Sequence, residues 1–195
     1  MKRKFLLILI ILNLTYFSCQ TKTDLSNIKG IEIFLLKTEC RNQNSYKEHK
    51  SISERDKFME KHKSFEEVPV EKCANYIDLE KCKSEDKPFL KKADIEKFDW
   101  VKSKIYLTKS GIEKLKTKEI PLRGLAFVIK LNEKNVYAGW FWNMFSSFSC
   151  DRIYSYPNKN IKENELDLEF GLGVIKCGKD NRKDESLIRN ILEMN

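Results

Sequence analysis

Few residues in this chain have both the type and the spacing to act on another molecule. Hydroxyl and thiol groups crowd into Ser146-Ser147-Phe148-Ser149-Cys150. A nucleophile there needs a base to take its proton and an oxyanion site to hold the developing charge. The only histidines, His49 and His62, lie far upstream in a charged stretch, and the segment forms neither G-x-S-x-G nor S-x-x-K. Asp78, Glu80, Asp94, Asp99, Asp151, Asp167 and Glu169 are the acids nearest apolar runs. Carboxylates are so common here that no two of them mark a glycosidase pair. No catalytic residue is expected.

The cysteines carry a different chemistry. Cys40, Cys73, Cys82, Cys150 and Cys177 follow Cys19, with no C-x-x-C among them. That spacing, and the place of the two histidines, argue against zinc, and no metal or cofactor is expected. Cys73 and Cys82 are close in sequence with a polar segment between them, which makes them the candidate disulfide. Cys40, Cys150 and Cys177 leave a second bridge and a thiol, in an order that sequence does not choose.

The most distinctive segment runs from Gly139 to Cys150 and holds two of the three tryptophans and three phenylalanines. At strand spacing Trp140 and Trp142 share a face with Val136 and Ala138, while Phe141 joins Tyr137 on the other. One reading has both faces covered, by helices and by an insertion. The other has Trp140, Phe141, Trp142, Phe145 and Phe148 exposed as a patch that binds a partner, since aromatic residues dominate interface hot spots.

These groups sit behind an export signal. Lys2-Arg3-Lys4 precedes an apolar run from Phe5 to Phe17. As a helix that run reaches roughly 20 Å, against a hydrocarbon core of about 30 Å, so it reads as a cleaved signal rather than a spanning helix. Tyr16-Phe17-Ser18-Cys19 ends the run with a small residue before a cysteine. It resembles the bacterial lipoprotein signal, which implies that residues 1–18 are removed and that Cys19 carries the lipid. Two or more acyl chains hold a protein firmly to a membrane. The implied location is the bacterial cell envelope. The signal carries three of the 37 basic residues and none of the 29 acidic ones, and the rest are spread widely. No nucleic-acid partner is expected from that pattern.

Residues 19–29 read as a polar tether and residues 30–195 as a single α+β domain, with a charged insertion at 41–87. Within the insertion a polar helix is expected from about Glu54 to Lys63. Gly30 to Leu36 reads as a strand with Ile31, Ile33 and Leu35 on one face. Ala93 to Phe98 reads as a helical turn or two, and Lys104 to Leu107 as a strand. A helix follows from about Lys109 to Lys118, capped by Thr108 or Ser110, and Ser110 with Glu113 has capping-box spacing. Leu125 to Leu131 is the clearest strand; Asn132 to Asn135 turns it back into Val136 to Trp142 as a hairpin. Leu166 to Ile175 is expected as another strand with a bend at Gly171 and Gly173. Glu185 to Glu193 is an amphipathic helix capped by Asp184. The expected fold class is α+β, a mostly antiparallel sheet of four or five strands with packed helices.

Asp94-Ile95, Ile105-Tyr106-Leu107-Thr108-Lys109-Ser110-Gly111, Gly124-Leu125-Ala126-Phe127-Val128-Ile129-Lys130-Leu131 and the hairpin as far as Gly139 follow one order. That order resembles the head subdomain of the first periplasmic domain of the SecD protein-export subunit. The likeness implies a related α+β arrangement and no activity. The chain also resembles small bacterial envelope lipoproteins carrying this module. The expectation is a lipid-anchored, non-catalytic interaction or accessory module for an envelope protein. A small-molecule or glycan-binding lipoprotein comes second, and a hydrolase third.

Overall fold

Alternating apolar residues in two neighbouring runs set up the centre of the molecule. The computed structural model describes residues 24–37, 40, 53, 57, 60, 64–157, 159, 164–172 and 176–194. Strand β4 is Leu125–Leu131 and β5 is Lys134–Phe141, paired antiparallel with Leu131 opposite Lys134. The turn is therefore only Asn132-Glu133, tighter than the four residues expected. Both have positive φ, 48° and 68°, the backbone twist that a two-residue hairpin loop requires. A register shift between Ile129 and Lys130 leaves Val136 of β5 without a partner, and Val136 packs with Tyr137 and Phe141 rather than on the face of Trp140 and Trp142 where it was expected.

Strand β1, Ile31–Leu35, pairs antiparallel with β4. Strand β6, Ile153–Ser155, pairs parallel with β5, and β8, Glu169–Phe170, pairs antiparallel with β6. The five strands lie in the order β1-β4-β5-β6-β8. A second sheet holds β2, Ile95–Asp99, β3, Lys104–Leu107, and β7, Glu165–Asp167, all antiparallel. Helices α1, Lys109–Thr117, and α2, Glu185–Met194, join these sheets in an α+β fold. The mostly antiparallel five-stranded sheet is as expected; among the described residues a second, three-stranded sheet accompanies it.

Both faces of the large sheet are covered. On one, Ile31, Ile33, Phe127, Ile129, Leu131 and Phe141 meet Phe98, Ile105 and Leu107 of the small sheet, with Ile112 and Leu115 of α1 and Ile191 of α2. On the other, Val128, Trp140, Trp142 and Tyr154 meet Leu36, Cys40 and Ile77. Each large side chain so enclosed contributes about 1.5–3 kcal/mol of apolar transfer.

Several elements differ from the sequence expectation for identifiable reasons. The helical turn expected at Ala93–Phe98 is a single 3-10 turn at Lys92–Asp94, after which the chain enters β2. Ile95 and Phe98 are buried in the core, and Phe98 bridges to Ile28, so pairing across the sheet overrides local helical preference. Thr108, not Ser110, caps α1, because the Ser110 hydroxyl donates to Asp94 Oδ1 at 2.6 Å. The strand expected from Leu166 divides into β7 and β8, which join different sheets. Leu168 donates its backbone N–H to Ser103 between them, and Gly171 turns the chain at φ 70°. The expected continuation through residues 173–175 lies outside the described residues.

The tether expected over 19–29 is shorter. Ile28 is buried and paired with Phe98, and Leu25 packs against the core. The second half of the charged insertion is likewise built into the fold: Val68, Cys73 and Ile77 are buried, and Asp151 accepts backbone N–H bonds from Ala74 and Asn75, each at 2.9 Å. Of the helix expected at 54–63 only Lys57 and Glu60 are described, both helical and exposed, and both histidines lie outside the described residues.

Candidate interaction surface

The two disulfides join Cys40 to Cys82 and Cys73 to Cys177. This corrects the expected Cys73–Cys82 pair. Cys73 points into a small apolar cluster with Val68 and Cys177, while Cys40 packs beneath Trp140 and Trp142 with Cys82 at the edge of that cluster. Packing separates two cysteines that sequence proximity would have joined. Cys150 belongs to neither bridge; it is buried, and its thiol lies 3.8 Å from the Arg152 carbonyl as donor. Both bridges fit a protein that folds outside the reducing cytoplasm. No described helix is long and apolar enough to cross a membrane. Cys19 lies outside the described residues.

Ionisable groups that might have done chemistry are bound into the structure. Asp94 is fully enclosed and accepts bonds from the Lys91 N–H, the Ser110 hydroxyl and the Lys114 ammonium. Burial opposes its ionisation, yet these donors outweigh it and hold the carboxyl below its ordinary value. Arg152 spends its guanidinium on the Cys177 and Lys179 carbonyls and on Asn181. Asp180 and Arg182 form a bidentate pair. Burial raises the Tyr154 hydroxyl above its usual range, and its bond to Glu169 adds to the shift. Among the described residues no group of three His, Cys, Asp or Glu side chains is placed to hold a metal.

The aromatic segment is split by depth. Trp140, Phe141 and Trp142 are each no more than 2% exposed, so they are core residues and not a docking patch. Trp140 donates to the Asn75 carbonyl at 2.8 Å and Trp142 to the Phe148 carbonyl at 3.2 Å. The structure brings only Phe145 and Phe148, of the five candidates, to the surface. They are joined there by two residues that the sequence reading passed over, Leu122 and Met144. Phe145 is 91% exposed.

The loop holding them is tied in place. Asn143 donates its side-chain amide to the Ile120 carbonyl at 2.6 Å, and its Oδ1 accepts the Phe145 N–H at 2.8 Å. The Phe148 N–H donates to Ser146 Oγ at 3.0 Å. Asn143 and Ser146 thus hold short side-chain-to-backbone turns that point the intervening apolar residues outward. Residues 120–124 form the adjoining turn, closed by a Gly124 N–H bond to Pro121 O. Gly124 has φ +80°, and a Cβ there would stand 2.6 Å from the Trp142 ring. The Arg123 guanidinium lies 4.8 Å above the Phe148 ring, which joins the two loops into one tip. Polar Asn143 and Ser146 among aromatics were the signal in the sequence for a turn at this point.

Comparison with protein-family models, with curated proteins and with solved structures found no match.

Proposed function

We propose that this is an exported protein held on a bacterial envelope membrane by lipid on Cys19, and that its folded part is a non-catalytic docking module for another envelope protein. The observation that carries this reading is Phe145, held almost wholly in solvent by a loop whose polar groups are spent on fixing it there. With the loop backbone already fixed, only the two side-chain torsions of Phe145 are left to order when a partner covers it, a small cost for the apolar area an interface anchor buries. The disulfides support export, and the enclosed acids support a role without catalysis. The test is isolation of the lipidated protein from its own membranes in mild detergent, beside a Cys19→Ala variant. The reading expects a stoichiometric partner protein, and release of Cys19→Ala into the soluble fraction. A lone protein, or a variant that stays with the membranes, overturns it.

A second reading, small-molecule binding, has one observation in its favour. A cleft of about 450 Å³ is lined by Asn75, Tyr137 and Arg152 among others. Asn75 Nδ2 and Tyr137 Oη are buried there without an aligned hydrogen-bond partner, although the Arg182 guanidinium lies close to the tyrosine. A ligand that melts the protein at higher temperature, and stops doing so in Tyr137→Phe, would establish it.

A further inference from the structure

The two ends of the large sheet differ, and the difference fixes which way the apolar tip faces. The chain enters at the hairpin end: Leu25 accepts the Trp100 N–H, Ile28 pairs with Phe98, and Ile31 stands opposite Leu131. The tip lies at the other end, where Leu35 stands opposite Phe127 and Leu125 opposite Phe141. At about 3.3 Å per residue, β4 separates the two ends by roughly 20 Å. Only Gln20 to Thr23 stand between Cys19 and Asp24, which limits the reach of a lipid on Cys19 to about 18 Å. Such an anchor draws the hairpin end toward the bilayer and leaves the tip directed away from it.

The tip has a mixed chemistry. Leu122, Met144, Phe145 and Phe148 are exposed beside Arg123. Arg123 stacks on Phe148, and its guanidinium is in no ion pair among the described residues. A stacked guanidinium is pre-organised with its fork of donors unspent, and a carboxylate matches that fork. Exposed aromatics next to a cation would also suit a lipid surface. The anchor geometry turns the tip away from the membrane in reach.

We propose that the Leu122–Arg123 and Met144–Phe148 tip docks into an apolar pocket of a second protein, with Arg123 meeting a carboxylate on the pocket's rim. This rests on the docking-module reading above and adds to it the orientation and the partner's chemistry.

The experiment places a benzophenone amino acid at position 145, and separately at 133 on the hairpin turn, in the full lipidated chain in its own membranes. Irradiation at 145 is expected to give an adduct with one protein, and irradiation at 133 is expected not to give that adduct. Arg123→Glu, with its melting compared to wild type, is expected to cut the yield at 145 at least tenfold, while Arg123→Lys, which keeps a cation beside the Phe148 ring, is expected to retain most of it. A lipid adduct at 145, or no adduct, overturns the proposal. An unchanged yield in Arg123→Glu overturns the carboxylate rim. Cys19→Ala run alongside separates the two levels: if it stays in the membrane fraction the anchored reading itself fails, whatever position 145 captures.

Discussion

Two aromatic residues five positions apart should respond to truncation in opposite ways. Trp140 is 2% exposed, its ring lies edge-on to Trp142 at 6.4 Å, and its indole N–H donates to the Asn75 carbonyl at 2.8 Å. Trp140→Ala removes the apolar contact and leaves a cavity, which costs about 3–5 kcal/mol. It also leaves the Asn75 carbonyl without that donor inside the core, for roughly 1–3 kcal/mol more. A total of at least about 4 kcal/mol is a large share of the 5–15 kcal/mol that holds an ordinary domain folded. Phe145 is 91% exposed, so Phe145→Ala should leave stability within about 0.5 kcal/mol of wild type. Urea unfolding followed by far-ultraviolet circular dichroism, with the disulfides intact, measures both midpoints. A Trp140→Ala shift under about 1 kcal/mol, or a Phe145→Ala loss above about 1 kcal/mol, would refute the division of this segment into core and tip.

Other outcomes follow from the same structure. Removing the Cys73–Cys177 bridge by paired Ser substitution frees a link across 104 residues and should cost about 5 kcal/mol on the chain-entropy scale. The Cys40–Cys82 bridge spans 42 residues and should cost nearer to about 4 kcal/mol, so melting of the two double variants should rank in that order. The Asp94 carboxyl is held below its ordinary value of 3.8, so its contribution is complete above the unfolded value and is lost as pH falls through the lower folded one. Asp94→Asn should therefore be less stable than wild type at pH 7, with the gap closing below about pH 4 when unfolding is measured across that range. Gly124→Ala places a Cβ against the Trp142 ring at a positive φ and should cost at least about 1 kcal/mol in thermal unfolding.

The parts of the fold that showed in the sequence are those set by local pattern. Leu125 to Leu131 alternates cleanly, and the structure gives β4 those same bounds. Ile112 and Leu115 mark α1, and Leu187, Ile188 and Ile191 mark α2, by helical spacing. What did not show depends on distant partners. Strand β6 is three residues long and exists because Tyr154 finds Trp140, which no local pattern announces. The cysteine pairing follows from which cluster each thiol enters, a property of the finished core. The aromatic segment read equally well as core or as patch, since a strand buried on both faces has no polar alternation to tell them apart. Its division came from Asn143 and Ser146, whose side chains turn the chain outward just past Trp142.

The measurement closest to the central claim compares wild type with Phe145→Ala in binding the protein captured from the envelope, at matched folded concentrations. The account predicts a loss of at least about 2 kcal/mol, some thirtyfold in Kd, with unchanged melting of the variant. Equal affinity for the two proteins would contradict it, because the tip would then not be where the partner docks.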